Sequence, residues 1–160
     1  VGALIGEPEK ADALSRNLQA RIDAARERAK SLARRPRVYF EEWDDPMISA
    51  IGWVSELIEI AGGENVFADR AFGQAAKDRF VTSEEVIAAA PDVIIGSWCG
   101  KGFKKEQVAA RPGFNAIPAV KDGRLYEIKS SLILQPGPAA LTDGLEALQQ
   151  ILSVAVISRR

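Results

Sequence analysis

Residues 81–101, VTSEEVIAAAPDVIIGSWCGK, decide the fold. Thr82 or Ser83 can cap a helix over "SEEVIAAA", with Glu85 at about the third helical position, where a capping-box acid belongs. Pro91 and Asp92 end that helix and lead into "VIIG" (93–96), an unalternated apolar run. Such runs mark strands covered on both faces. The strand stops abruptly in Gly96, Ser97, Trp98, Cys99, Gly100 and Lys101, which include the only cysteine of the chain. A helix feeding a doubly covered strand that ends in polar and aromatic residues is a unit of a parallel α/β sheet. In such sheets ligands gather beyond the carboxyl ends of the strands.

The same grammar extends in both directions. Upstream, residues 8–33 predict one long helix, with Pro8 at its first turn between Glu7 and Glu9. Leu14, Leu18, Ile22, Ala25, Ala29 and Leu32 recur at spacings of three and four. Its length would be roughly 38 Å. Arg34-Arg35-Pro36-Arg37 forms a solvated junction to the strand "RVYFEEW" (37–43), which runs into Asp44-Asp45-Pro46. A helix over 47–61 would end at Gly62-Gly63; "ENVF" is a short strand and 68–79 a polar surface connection.

Downstream, 104–110 is helix-prone and "GFNAIPAV" irregular. "KDG" turns into the strand "RLYEI" (124–128), and Gly137-Pro138 opens a last helix striped by Leu141, Leu145, Leu148 and Leu152. The expected fold is α/β, a three-layer α/β/α arrangement with a mostly parallel central sheet behind a long first helix. Three strands would end on one rim, at Glu42-Trp43-Asp44-Asp45, at Ser97–Lys101, and at Lys129-Ser130-Ser131 continuing to Gln135.

Composition bounds the chemistry. The chain has 160 residues, 47% hydrophobic and 27% charged, with 21 Lys+Arg against 22 Asp+Glu. That suits a domain with a substantial core and gives no electrostatic reason to expect a nucleic-acid partner. Histidine is absent, which removes the Ser-His and Cys-His pairs and the commonest ligand of transition metals. No apolar run reaches the roughly 18–20 residues of a membrane span. The opening "VGALIGEPEKADAL" has no initiator methionine, and the expectation is a chain cut from something longer.

Several motifs have plain structural readings beside the chemical ones. Gly96 to Gly102 imitates a phosphate loop but has three residues between its glycines instead of four, and Gly102 instead of Ser or Thr after the lysine. Cys99 lacks a histidine base, leaving Lys101 as its only candidate helper, and reads as a small, semi-buried rim residue. Trp98, just past a strand end, favours an exposed aromatic surface for a flat ligand over plain core. Glu41, Glu42, Asp44 and Asp45 form an acidic cluster able to bind a cation or to act as paired carboxylates, though strand alternation puts only some of them on the rim. A small α/β enzyme using Cys99, or Asp44 and Asp45, remains the rival reading.

Taken together, "VGALIGEPEKADALSRNLQARI", "RPRVYFEEWDDP", "ELIEIAGGENVF", "VTSEEVIAAAPDVII", "IPAVKDGRLYEI" and "QPGPAALTDGLEAL" resemble, in order and spacing, the substrate-binding proteins of ABC importers. The resemblance is to the class whose two lobes are joined by one rigid helix, and within it to vitamin B12 (cobalamin) binders. It implies that residues 1–35 are the end of an N-terminal lobe plus the bridging helix, and 36–160 a C-terminal α/β lobe. It implies no catalytic residue, no cofactor and no metal. The transported ligand would be a corrinoid, or else haem or an iron-siderophore.

Carried over residue by residue, the ligand-facing positions would be Trp43, Trp98, Ser131 and Gln135, with Glu42 and Cys99 beside them. Gln135 stands where cobalamin binders commonly have an arginine. Docking on the membrane permease and its ATPase would use Glu85, or its neighbour Glu84, while Glu85 read from the residues alone is a capping-box acid. Location would be periplasmic or otherwise extracytoplasmic, with a lipid anchor possible in the complete protein, and the further partner would be the N-terminal lobe of the same polypeptide.

Overall fold

The structure, a computed structural model, describes residues 2–157. Helix α1 spans Pro8–Ala29, followed by strand β1 (Arg37–Asp44), strand β2 (Met47–Ser49) and helix α2 (Gly52–Ile60). Strand β3 (Glu64–Asn65), helix α3 (Ser83–Ala89) and strand β4 (Val93–Gly96) come next. Then follow α4 (Lys105–Ala109), α5 (Pro118–Lys121), β5 (Leu125–Glu127), α6 (Ser130–Ile133) and α7 (Leu145–Ile157).

The sheet order is β2-β1-β4-β5, with β3 also paired to β1. β1, β4 and β5 are mutually parallel, with Val38 opposite Val93 and Ile94 opposite Leu125. β2 alone runs antiparallel. Because strand side chains alternate faces, Val38 and Phe40 point one way, to Val93, Ile95, Leu57, Ile58, Leu148 and Leu152. Tyr39 points the other way, to Ile94, Leu125, Val86, Val108, Phe114 and Ile117. Helices thus cover both faces, and the expected α/β/α layering is the architecture observed.

Four local expectations needed correction. The segment expected to be one helix over 47–61 begins instead as β2, since Met47–Ser49 pairs with the open edge of β1. Pro46 favours this, because it disfavours helical backbone at Asp45. The first helix stops at Ala29 rather than at 33. Beyond it Leu32 folds onto Gly62, where a Cβ would lie 2.7 Å from the leucine Cδ1. The "irregular" stretch 113–120 contains the start of α5. The last helix is entered through a π-helical turn, Ala140–Gly144, pressed against the carbonyl of Leu132 in the unforeseen helix α6.

α1 is about 33 Å long. Its C-terminal half packs through Ile22 and Ala25, while its first turns project free, with Leu14 52% exposed. Past β4 the backbone runs close beneath Phe103: a Cβ on Gly96 would come within 1.8 Å of the phenyl Cδ2. Gly96→Ala should therefore destabilise by about 1–3 kcal/mol in urea unfolding. Gly102→Ala, which would meet nothing within 4 Å, should fall within about 0.5 kcal/mol of wild type. Equal losses at the two positions would refute this packing.

Candidate ligand-binding rim

The carboxyl ends of β1, β4 and β5 lie side by side, because the three strands are adjacent and parallel. The loops after them form one rim, as the strand reading required. Its floor is set by Glu41, a carboxylate with no solvent exposure. Burying a charge is costly unless it is paired and hydrogen-bonded. Glu41 is satisfied from three directions. Trp98 Nε1 donates to Oε1 at 3.0 Å, Tyr39 Oη donates to Oε2 at 3.0 Å, and the Arg111 guanidinium donates to both oxygens, with Nη2 3.0 Å from Oε1. Burial, followed by the Glu41 charge and hydrogen bond, pushes the Tyr39 phenol well above its ordinary pKa. Arg111 shifts upward as well: burial opposes its charge, but the hydrogen bond and charge of Glu41 outweigh it.

This arrangement corrects the expectation for Trp98. The indole is 2% exposed, its N–H spent on Glu41 and its ring edge-on to Phe103 at 5.1 Å. It is part of the floor instead of an open stacking platform. Trp43 is half-buried at the rim, and its Nε1 donates to the Asp45 carbonyl at 2.9 Å. Lys101 Nζ lies 4.1 Å from the Trp43 ring centroid, 5.1 Å from that of Trp98 and 2.6 Å from Asp44 Oδ1. Burial pushes the Asp44 carboxyl up, but hydrogen bonds from Lys101 and a backbone N–H, with the charges of Lys101 and Arg111, bring it below the ordinary value.

The remaining expected positions divide. Ser131 is exposed and, with Ser130, Lys101, Lys129, Glu127 and an edge of Trp98, lines a shallow depression of about 260 Å³. Gln135 is exposed beyond α6, outside that depression. Glu42 is not free for a ligand. It faces the buried Arg79, whose Nη1 reaches Glu42 Oε2 at 2.6 Å and the Ser49 carbonyl at 2.7 Å. Cys99, expected half-buried, is exposed as a free thiol, and Lys101 is engaged by Asp44. Three of the four clustered acids are dispersed among separate cationic partners, Glu41 to Arg111, Glu42 to Arg79 and Asp44 to Lys101, and among the described residues no group of three His, Cys, Asp or Glu side chains could hold a metal ion.

At the start of α3, Thr82 and Glu85 make the expected capping box, with Thr82 N–H donating to Glu85 Oε2 at 2.8 Å. Glu85 is also clasped by Arg70, which donates to both oxygens, and this contact, followed by the Thr82 backbone N–H, depresses its pKa. Glu84 is exposed beside it.

Two larger grooves, of about 570 and 420 Å³, flank α1. The larger lies between α1 and α7, reaching Leu32 and Ala61 near the opposite end of the sheet. Size alone does not favour it, because the rim is where a parallel sheet concentrates convergent polar groups. Sequence reasoning missed Arg111 and Arg79. The available signal was two adjacent acids inside the apolar strand "VYFEEW", which demand cationic partners if buried.

Three parallel strand ends sharing one rim are the place where such sheets take ligands. The comparisons agree. The family described as "Periplasmic binding protein" matches residues 1–132, and the chain belongs to it. A substrate-binding lipoprotein of an ABC transporter from Bacillus subtilis, YvrC, is 28% identical over 94% of this chain and 46% of its own length. The vitamin B12-binding protein of Vibrio parahaemolyticus is 25% identical over 92% of this chain and 52% of its own. The periplasmic heme-binding protein RhuT of Roseiflexus superimposes with a TM-score of 0.75 at 28% identity, over 94% of this chain and 60% of its own. The chain spans about half the length of the curated relatives it matches. The family is one of binding proteins, which sets aside the enzyme built on Cys99 or on Asp44 and Asp45.

Removing the Glu41 carboxylate leaves the guanidinium of Arg111 buried without its partner. Glu41→Ala should cost about 3–5 kcal/mol in chemical unfolding, and Glu41→Ala/Arg111→Met should recover much of it. Strictly additive losses would show that the pair is not coupled. Depressed carboxylates add a pH dependence. Asp44, Glu85 and Glu127 have folded pKa values below their ordinary 3.8, 4.5 and 4.5. Their contribution is present in full above those unfolded values and fades as pH falls through the lower folded ones. Melting temperature should therefore drop on acidification below about pH 4.5, and the drop should be smaller in Asp44→Asn.

Proposed function

We propose that the rim is one wall of a ligand cleft in the substrate-binding component of an ABC importer, and that the protein acts outside the cytoplasm, handing its ligand to a membrane permease and ATPase. The observation that carries this reading is the convergence of three parallel strand ends on one rim without catalytic groups, in a chain of this family. The opposite wall would come from a second lobe of the same polypeptide, which suits a first helix whose N-terminal turns project free.

The ligand is read as a corrinoid, supported by the relationship to a vitamin B12-binding protein. Haem is the second reading, favoured by the likeness to a heme-binding structure at higher identity. A ferric siderophore is the third. The chain carries no cofactor of its own in this reading. Trp43 and Ser131 contact the ligand directly, with Gln135 at the outer edge of the same loop set and Cys99 a bystander. Affinity comes chiefly from apolar surface removed from water, at about 25 cal/mol per Å² before ordering costs.

Permease docking falls to Glu84 rather than Glu85. Glu85 already has its carboxylate committed to Arg70 and Thr82, whereas Glu84 stands exposed at the start of α3. A rim charge of this kind contributes orientation and association rate more than affinity.

Cobalamin, haem and a ferric siderophore titrated separately against the complete polypeptide should give saturable tryptophan quenching with cobalamin, weakened several-fold by Trp43→Ala. Quenching by haem or siderophore alone would overturn the corrinoid reading and keep the class. No response to any of the three, with growth-dependent uptake also absent, would overturn the importer reading. In reconstituted transport, Glu84→Gln should lower the rate at unchanged melting temperature. Glu85→Gln should lower the melting temperature. The reverse pattern would return docking to Glu85.

A further inference from the structure

Lys101 occupies an unusual position for a surface lysine. Its ammonium lies near two indole rings, 4.1 Å from the Trp43 centroid and 5.1 Å from that of Trp98. The Asp44 carboxylate closes the same space at 2.6 Å, with only 11% of that side chain exposed. Two aromatic rings and a buried carboxylate around one cation are what a receptor for an organic ammonium requires: π-faces to attract the charge, a counter-ion to neutralise it and walls that exclude water.

A primary ammonium is a poor tenant for such a box, because it is strongly hydrated and gives up that hydration on entry. A quaternary or otherwise alkylated ammonium is weakly hydrated and loses less. The tether is also permissive. Lys101 sits between Gly100, whose φ of +77° belongs to the left-handed region, and Gly102; a Cβ on either glycine would meet nothing within 4 Å. The loop holding the lysine is thus uncrowded on either side of it, whereas Trp98 is pinned below by Glu41.

We propose that Trp43, Trp98 and Asp44 form a cation-binding subsite on the rim, filled from within by Lys101 until a ligand carrying a weakly hydrated ammonium group displaces it. The lysine returns when the ligand leaves, so the Asp44 charge is never left unpaired. Displaced, the Lys101 ammonium swings toward the depression it already lines beside Ser130 and Ser131. This rests on the reading of the rim as the ligand face and not on the corrinoid or haem, neither of which carries an alkylated ammonium group, so a filled box would mark a ligand of another class. The test below interrogates the box directly, so the box can fail while the importer assignment stands.

The probe is tetramethylammonium chloride, titrated against indole fluorescence at constant ionic strength balanced with sodium chloride. Wild type should respond weakly, because the tethered lysine competes. Lys101→Ala should give a saturable response with a midpoint at least tenfold lower, and Lys101→Ala/Asp44→Asn should lose it. Lys101→Gln, which keeps a polar side chain but removes the charge, should fall between wild type and Lys101→Ala. It also carries the same comparison if the alanine variant melts early. A response in Lys101→Ala no stronger than in wild type, or one undiminished by Asp44→Asn, overturns the subsite. A wild type silent across the whole range while the variants respond overturns displacement by a ligand.

Discussion

The rim depends on one buried charge. Glu41 sits where β1 leaves the core, and its carboxylate draws donors from the same strand (Tyr39), from the loop after β4 (Trp98) and from the segment after α4 (Arg111). Of these donors only Tyr39 is near Glu41 in sequence, two residues away, while Trp98 and Arg111 lie 57 and 70 residues on. A carboxylate without solvent exposure tolerates no loose partner, so each donor is held where its hydrogen bond is made. The loop after β4 is consequently pinned at Trp98 and uncrowded at Gly100 and Gly102.

The sheet itself was written plainly in the chain. "VYF" and "VIIG" are short unalternated apolar runs bounded by prolines and turn residues, the mark of strands buried on both faces, which call for helices on either side. The capping box at Thr82 and Glu85 was equally local, and so it was legible. Met47–Ser49 was not, because its apolar residues fit a helix as readily as a strand. What decides it is hydrogen bonding to the edge of β1, a fact of tertiary structure. The end of α1 is a similar case: the periodicity runs on to Leu32, but contact with Gly62 bends the chain first.

The site was legible by location and opaque by role. Strand ends named the three loops, yet sequence cannot show which acid meets which base when the partners are 70 residues apart, as Glu41 and Arg111 are, or 37 apart, as Glu42 and Arg79 are. Reading Trp98 as an exposed platform failed for this reason. A tryptophan after a strand can turn outward to a ligand or inward to a buried acceptor, and the acceptor was hidden in the ambiguity of "FEEW". The same logic separates Glu84 from Glu85, adjacent acids of which one is consumed by Arg70 and its own helix start.

The pairing has a consequence for recognition. Glu41 with Arg111, Glu42 with Arg79, Asp44 with Lys101 and Glu127 with Lys129 account for four acids and four bases at or just below the rim. The surface offered to a ligand is therefore polar in composition but neutralised in place. A strongly charged ligand must break an existing pair to bind by charge, losing most of what it gains. A ligand recognised by shape, hydrogen bonding and dispersion breaks nothing. Among the four pairs, only Lys101–Asp44 combines a partly exposed cation with an unpacked backbone on either side of it. On the proposed reading of the rim as a ligand face, selectivity turns on whether a ligand can use the Lys101–Asp44 pair while leaving the other three intact.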